Sequence, residues 1–202
     1  MSGQGLFGVL KNIECLHGVD YIDTIVRNTI YKARYQGVEV IVKIIHHDKI
    51  KWAELDSFWK RYGDHPEDFY DRILYNYSRL SDIDLGPVLY KHEICGDYLI
   101  LVMEFIRYKI EPDMDQEVYD SVSQAINRMH DVGIVHGDLH AGNMGLTDDM
   151  KPKFIDLETM FYLDDVDEIA QEWMIRGFDI YSVDEFIENE KDNFMLTLDI
   201  NA

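Results

Sequence analysis

Residues His136-Gly137-Asp138-Leu139-His140-Ala141-Gly142-Asn143, followed by Phe154-Ile155-Asp156-Leu157-Glu158, constrain this chain more than any other stretch. Two carboxylates and an amide, Asp138, Asn143 and Asp156, stand 5 and 18 residues apart among short apolar runs. That pattern suits a loop held between strands with its acidic side chains aimed at one point. Hard oxygen ligands of this kind can hold Mg²⁺ and position a hydroxyl for phosphoryl transfer.

The chain before this loop reads as β, then mixed. Tyr21–Val26, Ile30–Tyr35 and Val38–Ile45 form a meander, with turns at 27–29 and at Gln36-Gly37. The third strand is almost wholly β-branched and so belongs in the middle of its sheet. Residues 49–80 read as helical with a break near Gly63 to Pro66. The second part carries Phe69, Ile73, Leu74, Tyr77 and Leu80 at helical spacing. A hairpin follows, Val88–Glu93 and Tyr98–Phe105, turning at Cys95-Gly96-Asp97. Polar residues 107–114 read as a connection. A helix from Asp115 to Val132 has an apolar stripe of Val118, Val122, Ala125, Ile126, Met129 and Val132, and Gly133 ends it. Short strands are expected near Met144–Leu146 and Lys153–Ile155, then helices near Asp165–Arg176 and Asp184–Glu190.

Composition narrows the partners. Asp plus Glu number 39 against 19 Lys plus Arg, a net charge of −20. That balance opposes nucleic-acid phosphates and anionic membranes. It would attract a basic protein, although a solvated acidic surface explains it more simply. Cys15 and Cys95 are far apart and lack metal-ligand spacing, so free buried thiols in a reducing compartment are expected. No 18-residue apolar run is present, and a soluble, cytoplasmic protein is the expectation.

Several residues read two ways. Gly3-Gln4-Gly5-Leu6-Phe7-Gly8 matches G-x-G-x-x-G, but no strand precedes it, and context gives that motif its meaning. His136 and His140 are four apart, yet the glycines around them oppose a helix, and no third zinc ligand stands at a suitable spacing. There is no G-x-S-x-G for a serine hydrolase. Lys43, a lone cation near the end of an apolar strand, must reach solvent or find an anion. Read alone it points outward; read with the later acidic loop it suits phosphate binding.

These residues together resemble the protein-kinase-like superfamily over roughly 19–165. Val40-Ile41-Val42-Lys43 resembles the V-A-I-K strand, His136 to Asn143 resembles H-x-D-x-x-x-x-N, and Asp156-Leu157-Glu158 resembles D-F-G. Leu101 to Ile106 resembles the last N-lobe strand and hinge. The resemblance implies an α+β, two-lobed fold, with a β-rich N-lobe at 1–106 and a truncated helical C-lobe at 107–202. It implies ATP and Mg²⁺ as cofactors. Asp138 and Lys43 would be catalytic. Lys43, Met103 as gatekeeper, backbone at Glu104 and Ile106, Asn143 and Asp156 would bind nucleotide, and Asn143 and Asp156 would hold the metal. Asp71 or Glu67 would pair with Lys43.

The departures are informative. Gly137 replaces an arginine, His140 replaces a lysine, Glu158 replaces the D-F-G glycine, and no glycine-rich loop precedes Lys43. The loop is similar to that of aminoglycoside and choline kinases. The small size is similar to RIO and Bud32 kinases and to kinase-like proteins of viruses and phages. The resemblance therefore implies an atypical Ser/Thr protein kinase. The alternatives are a small-molecule kinase and a catalytically weak scaffold that binds or inhibits a partner.

Overall fold

The computed structural model describes residues 10, 13–25, 28–46, 66–110, 115–163 and 183–199. The Gly3–Gly8 motif, the first part of the 49–80 helix and the helix expected at Asp165–Arg176 lie outside these residues. The chain divides into two compact units, Met1–Asp71 with Val88–Phe105, and Arg72–Pro87 with Ile106–Ala202.

The first unit is built on a five-stranded antiparallel sheet in the order β1-β2-β3-β5-β4. Its strands are β1 Leu16–Ile25, β2 Asn28–Tyr35, β3 Val38–His46, β4 Leu89–Cys95 and β5 Tyr98–Glu104. The β-branched strand β3 is central, as its sequence predicts. Gln36 and Gly37 both take positive φ (51° and 89°), the geometry a two-residue hairpin demands. β1 begins earlier than predicted, at Leu16, and β2 starts at Asn28, which was expected in a turn. One sheet face buries Tyr31, Ala33, Val40, Val42, Ile44, Ile100 and Val102 under Leu10, Ile13 and Leu16. Alternation then puts Ile41, Lys43 and Ile45 on the other face. Cys15 and Cys95 are free but exposed rather than buried, because both sit at turns.

Helix α1, Pro66–Asp82, follows the expected spacing and buries Phe69, Ile73, Tyr77 and Leu80. Its residues from Arg72 onward belong to the second unit. There, α2 spans Gln116–Asp131, opened by Asp115, whose carboxylate accepts the Val118 N–H at 3.0 Å. The stripe Val118, Val122, Ala125, Ile126 and Met129 is buried, whereas Val132 is the exposed C-cap. The segment read as a polar connection contains a strand, β6 Tyr108–Lys109, which pairs with β8 Met144–Leu146. β8 pairs in turn with β9 Pro152–Phe154, one residue earlier than predicted. Two further short strands were not foreseen, β7 Ile134–Val135 and β10 Phe161–Tyr162, and they pair with each other. The last helix, α3 Val183–Asp199, runs well beyond the expected Glu190 and packs on α2. Among the described residues no helix is long and apolar enough to cross a membrane.

Strand β9 is pinned from its side chains as well as its backbone. Phe154 N–H donates to Leu85 O at 2.7 Å. The buried Lys153 ammonium bonds the Asp84 carboxylate and reaches its carbonyl at 3.3 Å. The Lys153 hydrogen bond holds the Asp84 carboxyl below its ordinary range. A depressed carboxylate pKa stabilises fully above the unfolded-state value and loses that contribution as pH falls through the folded one. Chemical denaturation of wild type and Asp84→Asn across pH 6 to 2 should therefore show a stability gap that narrows on acidification. A gap independent of pH would refute the assignment.

Candidate active site

The loop between β7 and β8 carries the predicted residues. Ile134 and Val135 are fully buried and fix its start, and Met144 to Leu146 fix its end. Between them the chain makes two sharp adjustments. At Gly137 the backbone has φ +78°, and a Cβ there would come within 2.5 Å of Thr159 O and 2.8 Å of the Phe161 ring. At 141–143 a single 3-10 turn forms, with His140 as its N-cap.

A carboxylate from outside the motif fastens the loop. Glu190, buried on α3, accepts from Gly137 N–H at 2.7 Å and from His136 N–H at 3.3 Å. Its Oε2 also lies 2.8 Å from Nε2 of His130, the buried residue near the end of α2. A buried carboxylate is costly unless its lone pairs are used, and here three donors from two elements use them. The His136 ring, itself fully buried, points the other way and joins Ile155 O through Nε2 at 2.9 Å. His136 is thus a structural tie between the loop and the segment leading to Asp156.

With the loop fixed, Asp138 and Asn143 meet. Asn143 is buried, and its Nδ2 donates to Asp138 O at 2.8 Å and to Asp138 Oδ2 at 3.2 Å. Both bonds use the amide nitrogen, which turns Oδ1 away from Asp138. The Asp138 side chain is 57% exposed. His140 stands beside it, Nε2 4.0 Å from Asp138 Oδ2. Gly142 N–H donates to His140 Nδ1 at 3.0 Å, so the proton of the neutral ring belongs on Nε2, facing Asp138.

Asp156 is brought to the same place through the backbone, since Ile155 N–H donates to Asn143 O at 2.9 Å. Asp156 adopts the left-handed region, φ 64° and ψ 51°, before a 3-10 turn at Leu157–Thr159. A non-glycine residue in such a conformation costs about 1–3 kcal/mol and clusters at functional sites. Two hard-oxygen donors, Asn143 Oδ1 and the Asp156 carboxylate, fit Mg²⁺, which binds through one or two protein ligands plus substrate phosphates.

The remaining predicted residues lie in the first unit or at its boundary. Lys43 is buried on β3, not pointing outward, and pairs in register with Leu101 of β5. Met103, also buried, pairs with Ile41 two residues along the same face. The Glu104 N–H donates to Val88 O at 2.8 Å, and its carboxylate accepts the Val88 N–H at 3.1 Å. Ile106 belongs to the second unit and lies over Gly145, where an added Cβ would approach its Cγ2 to 2.5 Å. Asp71 is exposed on α1, and the Glu67 side chain lies outside the described residues.

A β-rich unit with a buried strand lysine, and a helical unit carrying this Asp, Asn and Asp set, are those of a protein-kinase-like α+β fold. Residues 94–199, just over half of the chain, match the RIO domain, and the protein belongs to that family of atypical kinase-like phosphotransferases. No curated protein matches the chain.

Glu190 and Asn76, a fully buried amide on α1, are the residues that sequence reasoning missed. Removing the Glu190 carboxylate would strand His130 and two loop amides together. Glu190→Ala should cost about 3–5 kcal/mol in urea unfolding, because each buried donor left unpaired costs about 1–3 kcal/mol. A loss under about 1 kcal/mol, typical of one ordinary hydrogen bond, would refute its anchoring role.

Proposed function

We propose that the protein is an ATP- and Mg²⁺-dependent kinase that phosphorylates Ser/Thr hydroxyls of a protein. The observation that carries this reading is the junction of Asp138, Asn143 and left-handed Asp156. When bound, Mg²⁺·ATP supplies the γ-phosphoryl group that passes to the hydroxyl as ADP leaves, with the cation offsetting phosphate charge.

The chain's own groups divide the remaining work. Asp138 accepts a hydrogen bond from the acceptor hydroxyl and takes its proton as the oxygen becomes bonded to phosphorus. The Asn143 Nδ2 contact on Asp138 Oδ2 fixes the carboxylate's orientation, leaving Oδ1 of Asp138 for that hydroxyl. Asn143 Oδ1 and the Asp156 carboxylate hold the metal. The Lys43 ammonium would offset the charge of nucleotide phosphates, the role that the resemblance of its strand to V-A-I-K implies. The Glu104 N–H is consumed by Val88, so of that residue's backbone groups its carbonyl is the one that would be left for adenine; Met103 and Ile106 keep the nucleotide-binding roles that the resemblance implies.

Family membership favours a protein acceptor over a small molecule. The net charge of −20 favours a basic one through complementary steering. The resemblance of the Leu139–Asn143 stretch to small-molecule kinases, with His140 beside Asp138, supports a second reading in which the acceptor is a hydroxylated metabolite.

Mass spectrometry after incubation with Mg²⁺·ATP tests the proposal, using basic protein substrates beside a panel of hydroxylated metabolites and antibiotics. Asp138→Asn should lower transfer about 10²–10⁴-fold, the typical worth of a general base, while nucleotide binding survives. Wild-type protein that neither binds Mg²⁺·ATP nor transfers phosphate would sink it.

A further inference from the structure

One buried polar side chain on α1 has no part in the mechanism above. Asn76 is fully buried, and both ends of its amide are used. Nδ2 donates to Leu157 O at 2.8 Å, and Oδ1 accepts from the Tyr162 hydroxyl at 3.0 Å. Leu157 directly follows Asp156. Tyr162 is on β10, whose partner β7 leads into the catalytic loop. The Tyr162 ring is itself held, with the Arg72 guanidinium over its face at 4.3 Å and the Tyr75 ring at 5.6 Å.

Placed on the backbone, these bonds bracket Asp156. On its N-terminal side, Ile155 N–H is tied to Asn143 O. On its C-terminal side, Leu157 O is tied to Asn76. A left-handed aspartate is strained and persists only where its surroundings over-determine it. An apolar residue of similar size would fill position 76 without exposing unpaired groups only if Leu157 O and Tyr162 OH found other partners.

We infer that Asn76 is a positioning residue: with Tyr162 it clamps the Leu157 carbonyl and so holds the Asp156 carboxylate in its metal-binding conformation. The metal half of this inference rests on the function proposed above; the clamp itself does not. Helix α1 thereby acts on the site through an amide, at a carbonyl one residue from the ligand, and any displacement of residues 72–82 would reach Asp156 by that bond.

Hydrogen exchange of the full chain without nucleotide tests the clamp directly. Tyr162→Phe keeps the ring and removes only the hydroxyl, so the fold should survive. Amides of 155–160 should exchange about fivefold faster, the equivalent of one lost hydrogen bond, while those of α2 and β8 keep their wild-type rates. Asn76→Leu should do the same more strongly. The Mg²⁺ concentration giving half-maximal thermal stabilisation by ATP should rise by a similar factor, with metal-free nucleotide binding unchanged. Unaltered exchange at 155–160, or faster exchange spread evenly over α2 and β8, would overturn the clamp and leave Asn76 as a satisfied core amide. An unchanged Mg²⁺ requirement beside faster local exchange would overturn the link to metal. Wild-type protein that binds no nucleotide would remove the proposed function and that link together, while exchange would still decide the clamp.

Discussion

The buried carboxylate of Glu190 is the interaction on which the second unit depends. A carboxylate out of water is costly unless several donors face it. The donors are the backbone of His136 and Gly137 and the ring of His130. Satisfying the carboxylate and shaping the loop are thus one event. The Gly137 peptide must turn its N–H inward, and with φ at +78° the next residue, Asp138, emerges at the surface. α3, α2 and the catalytic loop meet at one charge, so the loop's conformation is set by packing rather than by anything that binds there.

Around this anchor the site shows a gradient from rigid to open. His136 and Asn143 are buried and hydrogen-bonded through both backbone and side chain, Asp156 is half-buried, and Asp138 and His140 are exposed. The phosphoryl transfer proposed for this site would need this order. The groups that orient must not move, because a small misplacement of a catalytic carboxylate lowers rate steeply. The group that meets the acceptor must be reachable. The left-handed strain at Asp156 belongs to the first category, being held by backbone bonds on either side.

How much of this was legible in the sequence follows from the range of each interaction. Strand β3 and helix α2 were readable because β-branched runs and 3.6-residue stripes are local patterns. That Asp138 and Asn143 lie side by side was readable because one short loop carries both, five residues apart. Two-residue strands such as β6, β7 and β10 carry no periodicity, and only pairing across the unit creates them. Glu190 is one of 39 acidic residues, 53 positions from Gly137, and nothing local distinguishes it. Its helix read as shorter than it is. Asn76 hid inside the stripe of α1, a polar residue on a face that otherwise reads as apolar. Lys43 was ambiguous alone because alternation permits either face; burial resolves it.

Gly137 turns one of the departures into a physical requirement. Kinases with arginine at this position can use it to pair with a phosphorylated activation loop. Here the backbone occupies a region that side chains disfavour, and the space a Cβ would need is filled by Thr159 O and the Phe161 ring. Thr159 reinforces this, its hydroxyl donating to His136 O at 3.0 Å. The loop has thus exchanged a position for a switchable cation for direct contact with the segment following Asp156. Glu190 on one side and Thr159 on the other then hold the loop. A site built in this way is organised by folding itself, through the bonds of the Gly137 and Thr159 segments to each other and to α3.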